Sequence, residues 1–283
     1  MDFGIGLGQR ILLGFVAALI IGLAGYLKKA LSFSGMLGAV VVGAVTFGFG
    51  GWPWAMAVVA FFVSSSALTL FGTRAKAALS GQFEKMGRRD SGQVMANGGM
   101  ASVLAVVYFF SPPAWRGAIL AAFAGAISTV NADTWATEIG VFSRRNPRLL
   151  TTWRKVPAGT SGAVSGLGLI TAAAGAFFAA VVVSLSVWSS GTGGANGIRL
   201  LVAGSTGGFI GALFDSLLGA TAQAIYYCPG CRNETEKRQH TCGASTTLVR
   251  GWAWLGNDLV NLFSSAAGGV ISLLIFELFG AGR

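Results

Sequence analysis

The stretch that decides the fold is Ala163–Trp188, AVSGLGLITAAAGAFFAAVVVSLSVW, which contains no charged residue. A helix needs about 20 consecutive apolar residues to cross a hydrocarbon core, and this segment meets that length. Seven more blocks of the same kind lie on either side of it. Together they cover roughly 11–27, 35–51, 54–71, 93–111, 114–130, 163–188, 198–221 and 258–280. A β-barrel would show shorter segments of alternating polarity, and these are missing. Charged residues make up 11% of the chain, far below the usual share for a soluble domain of this length. The sequence therefore predicts an all-α polytopic membrane protein of about eight transmembrane helices. It forms a single integral membrane domain over 1–283, with no soluble domain.

The formal net charge of +10 suggests nucleic acid at first sight, but its distribution argues against that partner. When the connections are assigned alternately to two sides, 16 of the 20 basic residues fall on one of them. That side holds Lys28 and Lys29, then Arg74, Lys76, Lys85, Arg88 and Arg89. It continues with Arg144, Arg145, Arg148, Arg154 and Lys155, and ends with Arg232, Lys237, Arg238 and Arg250. The other side holds Arg10, Arg116, Arg199 and Arg283. The positive-inside rule makes the crowded face cytoplasmic and both termini non-cytoplasmic. No cleavable signal peptide is expected: Asp2 stands where a basic start would be, and no small-residue cleavage site follows the first helix.

The outer connections are tight turns, Gly50-Gly51-Trp52-Pro53, Ser111-Pro112-Pro113 and Gly191-Thr192-Gly193-Gly194, and leave no room for an outer domain. Trp52, Trp54, Trp115 and Trp188 near them read as interfacial anchors. Glycines four apart, Gly162/Gly166, Gly204/Gly208 and Gly207/Gly211, read as close helix–helix contacts. The longer inner connections hold most of the acidic and amide residues, so function is expected on that face.

Four polar clusters carry the candidate chemistry. The first is Asn131-Ala132-Asp133-Thr134-Trp135-Ala136-Thr137-Glu138-Ile139-Gly140, where an apolar helix reaches the inner side. Carboxylates at a membrane boundary need a cation or a partner. Asp133 and Glu138 are about 140° apart around a helix, so one of them is expected to lie beyond the helix end if both serve one ion. The second is Lys155-Val156-Pro157-Ala158-Gly159-Thr160-Ser161-Gly162, a Gly-rich turn expected to lead straight into a helix N-terminus, which suits an anion. The third is Asp215-Ser216 with Gln223. Asp215 lies in an apolar stretch and requires a Lys, an Arg, a metal or a proton. The fourth is Gly256-Asn257-Asp258-Leu259-Val260-Asn261, with Asn97 as helix-packing glue. Separately, Cys228, Cys231, His240 and Cys242 in the cytoplasmic loop 228–250 offer three thiols and an imidazole. That set could bind structural Zn²⁺ in a compartment where thiols stay reduced.

Carboxylates, amides, a Gly-rich turn and cations on one face beneath an apolar body suit Mg²⁺ and phosphate chemistry on a lipid phosphate or alcohol. The four motifs, in order, resemble the DUF92 integral membrane family, which includes plant phytyl-phosphate kinase. The resemblance rests on Asn131 to Gly140, Gly159-Thr160-Ser161-Gly162, Gly211 to Ala220 and Asn257 to Asn261, and extends over nearly the whole chain. A fainter similarity links Asp133, Ala136, Gly140, Lys155 and Gly159-Thr160 to the CTP-using dolichol kinases and phosphatidate cytidylyltransferases. The resemblance implies CTP as phosphoryl donor and an isoprenoid monophosphate as acceptor. It implies Asp133, Asp215 and Asp258 at Mg²⁺, and Lys155 with Gly159 to Gly162 at the nucleotide phosphates. Glu138, Asn257 and Asn261 would orient ligands beside Asn131. A cytidylyltransferase and, further off, a transporter are the alternatives.

Overall fold

A computed structural model describes residues 6–77, 88–189 and 194–280. The side chains of Arg74 and Lys76, all of Lys85 and Arg283, and the turn Gly191-Thr192-Gly193 lie outside the described residues. Among the described residues eight long helices follow one another: α1 (Leu7–Leu27), α2 (Phe33–Val45, continued by a π-helical turn Thr46–Gly50), α3 (Trp52–Ala77), α4 (Ser91–Phe110), α5 (Pro113–Gly140), α6 (Gly166–Val187), α7 (Gly194–Thr221) and α8 (Asn257–Leu278). Seven are long and apolar enough to cross a membrane, and α5 is the exception.

The reason lies in its position. Helices α3, α4, α6, α7 and α8 all pack on α5, and from Ala121 to Ala132 every residue is buried. A helix sheathed by other helices meets little lipid, so it does not need a uniformly apolar surface. It can carry Ser128, Thr129 and Asn131 in its buried stretch and Asp133 and Glu138 beyond it. At 1.5 Å per residue its 28 residues extend about 42 Å. The helix therefore runs ten residues past the end expected at 130, and both Asp133 and Glu138 lie within it.

Side-chain size is inverted relative to a soluble protein. The core is largely Ala and Gly, while Leu12, Leu13, Ile20, Ile170, Leu185 and Val270 face outward. Lipid tails are as apolar as Leu, so helices associate through close backbone approach rather than through hiding large side chains. A Cβ at Gly208 would meet Ser128 and the Thr129 backbone, and one at Gly204 would meet the methyls of Ala124 and Ala180. Gly211 and Gly268 both lie against the Thr129 hydroxyl, which donates to Gly125 O at 2.9 Å and so presents no open polar group to that seam. The expectation fails at Gly166, where a Cβ would meet nothing. It also fails at Trp54, which is no interfacial anchor. It is buried and stacked on Phe123, ring centroids 4.0 Å apart.

Among the described residues, two connections, α5–α6 and α7–α8, carry strands. In the first, β1 (Arg148–Leu149) pairs antiparallel with β2 (Ala163–Val164). In the second, β3 (Ile225–Cys228), β4 (Asn233–Thr235) and β5 (Thr247–Arg250) form a small sheet in the order β4-β3-β5. The connection after α1 pairs with that before α4 through Leu31 and Arg89. At the opposite end Arg10 lies beside Gly51, and Arg116 donates to Ser111 O at 3.3 Å. Arg199 donates to Phe276 O at 2.6 Å, near the C-terminal end of α8.

Candidate functional site

A cavity of about 550 Å³ lies where the N-terminal ends of α4, α6 and α8 and the C-terminal ends of α5 and α7 meet the two strand-bearing connections. Its size is within the range of sites for small molecules and cofactors. Three helices bring one aspartate each: Asp133 from α5, Asp215 from α7 and Asp258 from α8. Asp215 is close enough to Asp133 for direct electrostatic repulsion and lies within hydrogen-bonding reach of Ser264. Its Oδ2 is buried and has no hydrogen-bond partner. A buried carboxylate oxygen of this kind costs free energy unless something positive satisfies it.

Asp133 and Glu138 both line the cavity even though five residues separate them. The cavity wraps the last two turns of α5, so the two carboxylates serve different walls. Glu138 accepts from Thr69 Oγ1 of α3 at 3.0 Å, while Asp133 faces α7. The α8 wall is set by capping. Gly256 is the N-cap and offers no side chain, which leaves Asn257 and Asp258 to line the cavity. Asp258 in the first turn also complements the positive end of the helix dipole. One turn on, Asn261 Nδ2 donates to Asn97 Oδ1 of α4 at 3.3 Å, so both amides join α8 to α4 at the cavity wall.

The Gly-rich turn forms the opposite rim. Thr160 donates through both N and Oγ1 to Pro157 O, at 3.3 and 2.8 Å, closing the turn. Gly162 has φ +78, a conformation that L side chains rarely adopt, and a Cβ there would run into Ala220. Gly219 in turn lies against Gly162 and Ser161, so the second and third motifs nest backbone to backbone. The turn does not lead straight into a helix as expected. Ala163–Val164 are strand, and α6 starts at Gly166, capped by Ser165 Oγ accepting from Gly168 N at 3.0 Å. Anion contacts here would therefore come from the turn's own amides and not from that helix end.

Two expected residues lie elsewhere. Asn131 is fully buried; its Nδ2 donates to Gly175 O at 2.7 Å and its Oδ1 accepts from Ser64 Oγ at 3.2 Å. It ties α5 to α6 and α3 and does not line the cavity. Lys155 is exposed beside Arg144, Arg145, Asn146 and Arg148 in a separate basic recess. Only Arg145 and Asn146 of that group also reach the main cavity.

Arg89 and Glu236 line the cavity without having been singled out from the sequence. Arg89 Nη1 donates to Ser65 Oγ at 3.0 Å, and its guanidinium lies 5.8 Å from the Phe61 ring centroid. Burial lowers it to about 10, which leaves it charged at neutral pH. The available signal was its place just before Asp90, the N-cap of α4, whose Oδ1 accepts from Gln93 N at 3.0 Å. Glu236 arrives through long-range pairing: Gln223 Nε2 donates to Glu236 Oε1 at 2.7 Å, and Ser161 Oγ donates to Gln223 Oε1 at 3.0 Å.

Comparison with known proteins agrees with the membrane architecture. The family described as Integral membrane protein DUF92 matches residues 16–269. Protein PGR of Arabidopsis thaliana is 29% identical over 271 residues, covering 90% of this chain and 92% of that protein. An uncharacterized membrane protein of Methanocaldococcus jannaschii is 27% identical, with 93% and 94% covered. Protein VTE6, chloroplastic, of Arabidopsis thaliana is 26% identical over 88% of this chain and 66% of its own length. No solved structure matches. An apolar eight-helix body with this cavity at one end, matched by the family over most of its length, is a multi-pass integral membrane protein of the DUF92 family.

Proposed function

We propose that the chain is a phosphotransferase that uses Mg²⁺ and CTP to convert an isoprenoid monophosphate to the diphosphate at the cytoplasmic face. The observation that carries this reading is the convergence of Asp133, Asp215 and Asp258, from three different helices, on one cavity that also holds a Gly-rich turn and two arginines. Hard carboxylate oxygens suit Mg²⁺, and the unpartnered Oδ2 of Asp215 fits a cation ligand. Bound there, the metal would supply neutralisation of phosphate charge.

The protein's own part is positioning. Arg89 and Arg145 face the cavity and take the phosphate-binding role that the resemblance suggested for Lys155. The amides of Gly159 to Gly162 sit at the rim, close to where a triphosphate would lie. Glu138 is held by Thr69, and Asn257 and Asn261 line the α8 wall. Leu169, Ala172, Ala212 and Leu213 line the side between α6 and α7, a route for a prenyl chain from the bilayer. A monophosphate acceptor is already ionised at neutral pH, so the site needs no strong general base. The basic connections around the cavity support the cytoplasmic placement.

The test is purified protein in detergent with Mg²⁺, phytyl or geranylgeranyl monophosphate and CTP labelled at the γ-phosphate, with ATP in parallel. Label in a lipid diphosphate, lost in Asp133→Asn, supports the reading. Unlabelled lipid with released pyrophosphate points to cytidylyl transfer through the same residues. Neither product across several prenyl lengths would return the chain to the transporter alternative.

A further inference from the structure

The connection 222–256 contains a feature that phosphoryl transfer does not use. Its three strands total eleven residues, and few of their side chains are buried. A sheet this small has too little apolar surface to hold itself together, and units of this kind usually need a cross-link or a metal. Its four sulfur and imidazole side chains converge. One ligand atom from each of Cys228, Cys231, His240 and Cys242 can be chosen so that all four lie within 4.8 Å of one another. Cys228 Sγ and Cys242 Sγ are 3.6 Å apart, and His240 Nδ1 is 3.2 Å from Cys242 Sγ. For Zn–S of ~2.3 Å and Zn–N of ~2.0 Å, tetrahedral edges come to about 3.5–3.8 Å.

The ligands also sit where metal knuckles form. Cys228 ends β3, and Pro229-Gly230 turns the chain so that Arg232 N donates to Cys228 O at 2.8 Å. On the facing side Gly243, with φ +84, closes a second turn in which its N donates to His240 O at 2.9 Å. His240 is only 7% exposed and Cys228 is fully buried, although the surrounding loop is polar. A single disulfide would use two of these sulfurs and would not account for the buried imidazole beside them.

We infer that Cys228, Cys231, His240 and Cys242 bind one zinc ion, and that this ion holds the cavity rim in place through the β4-β3-β5 sheet. The mechanical link is explicit. Gln223, just before β3, joins Glu236, just after β4, to Ser161 of the Gly-rich turn. Arg250 of β5 donates to Ala220 O at 2.8 Å and to Ser161 O at 3.5 Å. Loosening the sheet would release both braces of that turn. Zinc occupancy itself is independent of any reaction in the cavity.

Elemental analysis of the full chain, purified in detergent without chelator, should find about one zinc per protein. Cobalt substitution should give thiolate-to-metal charge-transfer bands and tetrahedral d–d bands. Cys231→Ser, at an exposed position, should weaken metal binding by at least about 100-fold. Chelation of the wild-type protein, which needs no variant to fold, should speed amide exchange in 225–250 and also in 159–163. Absence of zinc with an unchanged cobalt spectrum, or a disulfide found by mass spectrometry of the unreduced protein, would overturn the site. Faster exchange confined to 225–250 would overturn the coupling to the rim.

Discussion

Replacing Asp215 with Asn is expected to separate function from stability. The amide keeps the shape of the side chain and its reach to Ser264, and removes the charge that repels Asp133. What is lost is one unit of negative charge facing a cation. With the charge of Mg²⁺ reduced to about +1 by its remaining carboxylate and phosphate ligands, that attraction at ~4 Å and an effective dielectric of ~20 is worth about 4 kcal/mol. At ~1.4 kcal/mol per decade, complete loss would slow turnover about 10³-fold. Asp133 and Asp258 remain and offset part of it, so a fall of roughly 10²–10³ is expected. The same change relieves repulsion between two buried carboxylates, so the melting temperature in detergent should stay level or rise. The assay is γ-label transfer from CTP to prenyl monophosphate, run beside thermal unfolding monitored by tryptophan fluorescence. Turnover within about tenfold of wild type, with the protein folded, would refute the metal role of Asp215.

Four further outcomes are expected. Gly208→Leu should lower expression and thermal stability by several kcal/mol, read by detergent melting, because its side chain would have to displace Ser128 and the α5 backbone. Arg145→Gln should raise KM for the nucleotide by roughly ten- to a hundredfold, at about 1.5–3 kcal/mol for a charged hydrogen bond. Lys155→Gln, outside the cavity, should change it by less than about threefold, as expected for an exposed charge. Alkaline phosphatase fused after Arg283 should be active, and fused within 144–155 inactive, if the basic connections are cytoplasmic.

Helix number and the order of the motifs were legible in the chain because both are local properties. Blocks of about 20 apolar residues announce a span wherever they occur. Charge asymmetry needs only a count of connections. The limits of that reading show at particular residues. The fifth helix was expected to end at 130, because hydropathy drops where Asn131, Asp133 and Glu138 begin. The helix continues to Gly140 because surrounding helices, rather than lipid, sheathe its buried part. Trp54 was expected at an interface because tryptophans near tight turns usually sit there, and only the stack with Phe123 shows it is core. Asn131 belongs to the motif that carries the resemblance, yet its amide is committed to Gly175 and Ser64.

The sequence by itself determined the solvent in which this chain folds, the eight helices and the polar residues that lipid would not tolerate. Those follow from transfer free energies that act residue by residue. Which polar residues share a space was decided by the tertiary structure. Asp133, Asp215 and Asp258 lie 82 and 43 residues apart along the chain, and only the packing of α7 and α8 around α5 brings their carboxylates to one cavity. Arg89 and Glu236 enter it through a strand bridge and a three-residue hydrogen-bond chain that no spacing rule encodes. Close glycine contacts make that packing specific, because a contact with no room for a methyl group permits one helix register and excludes its neighbours.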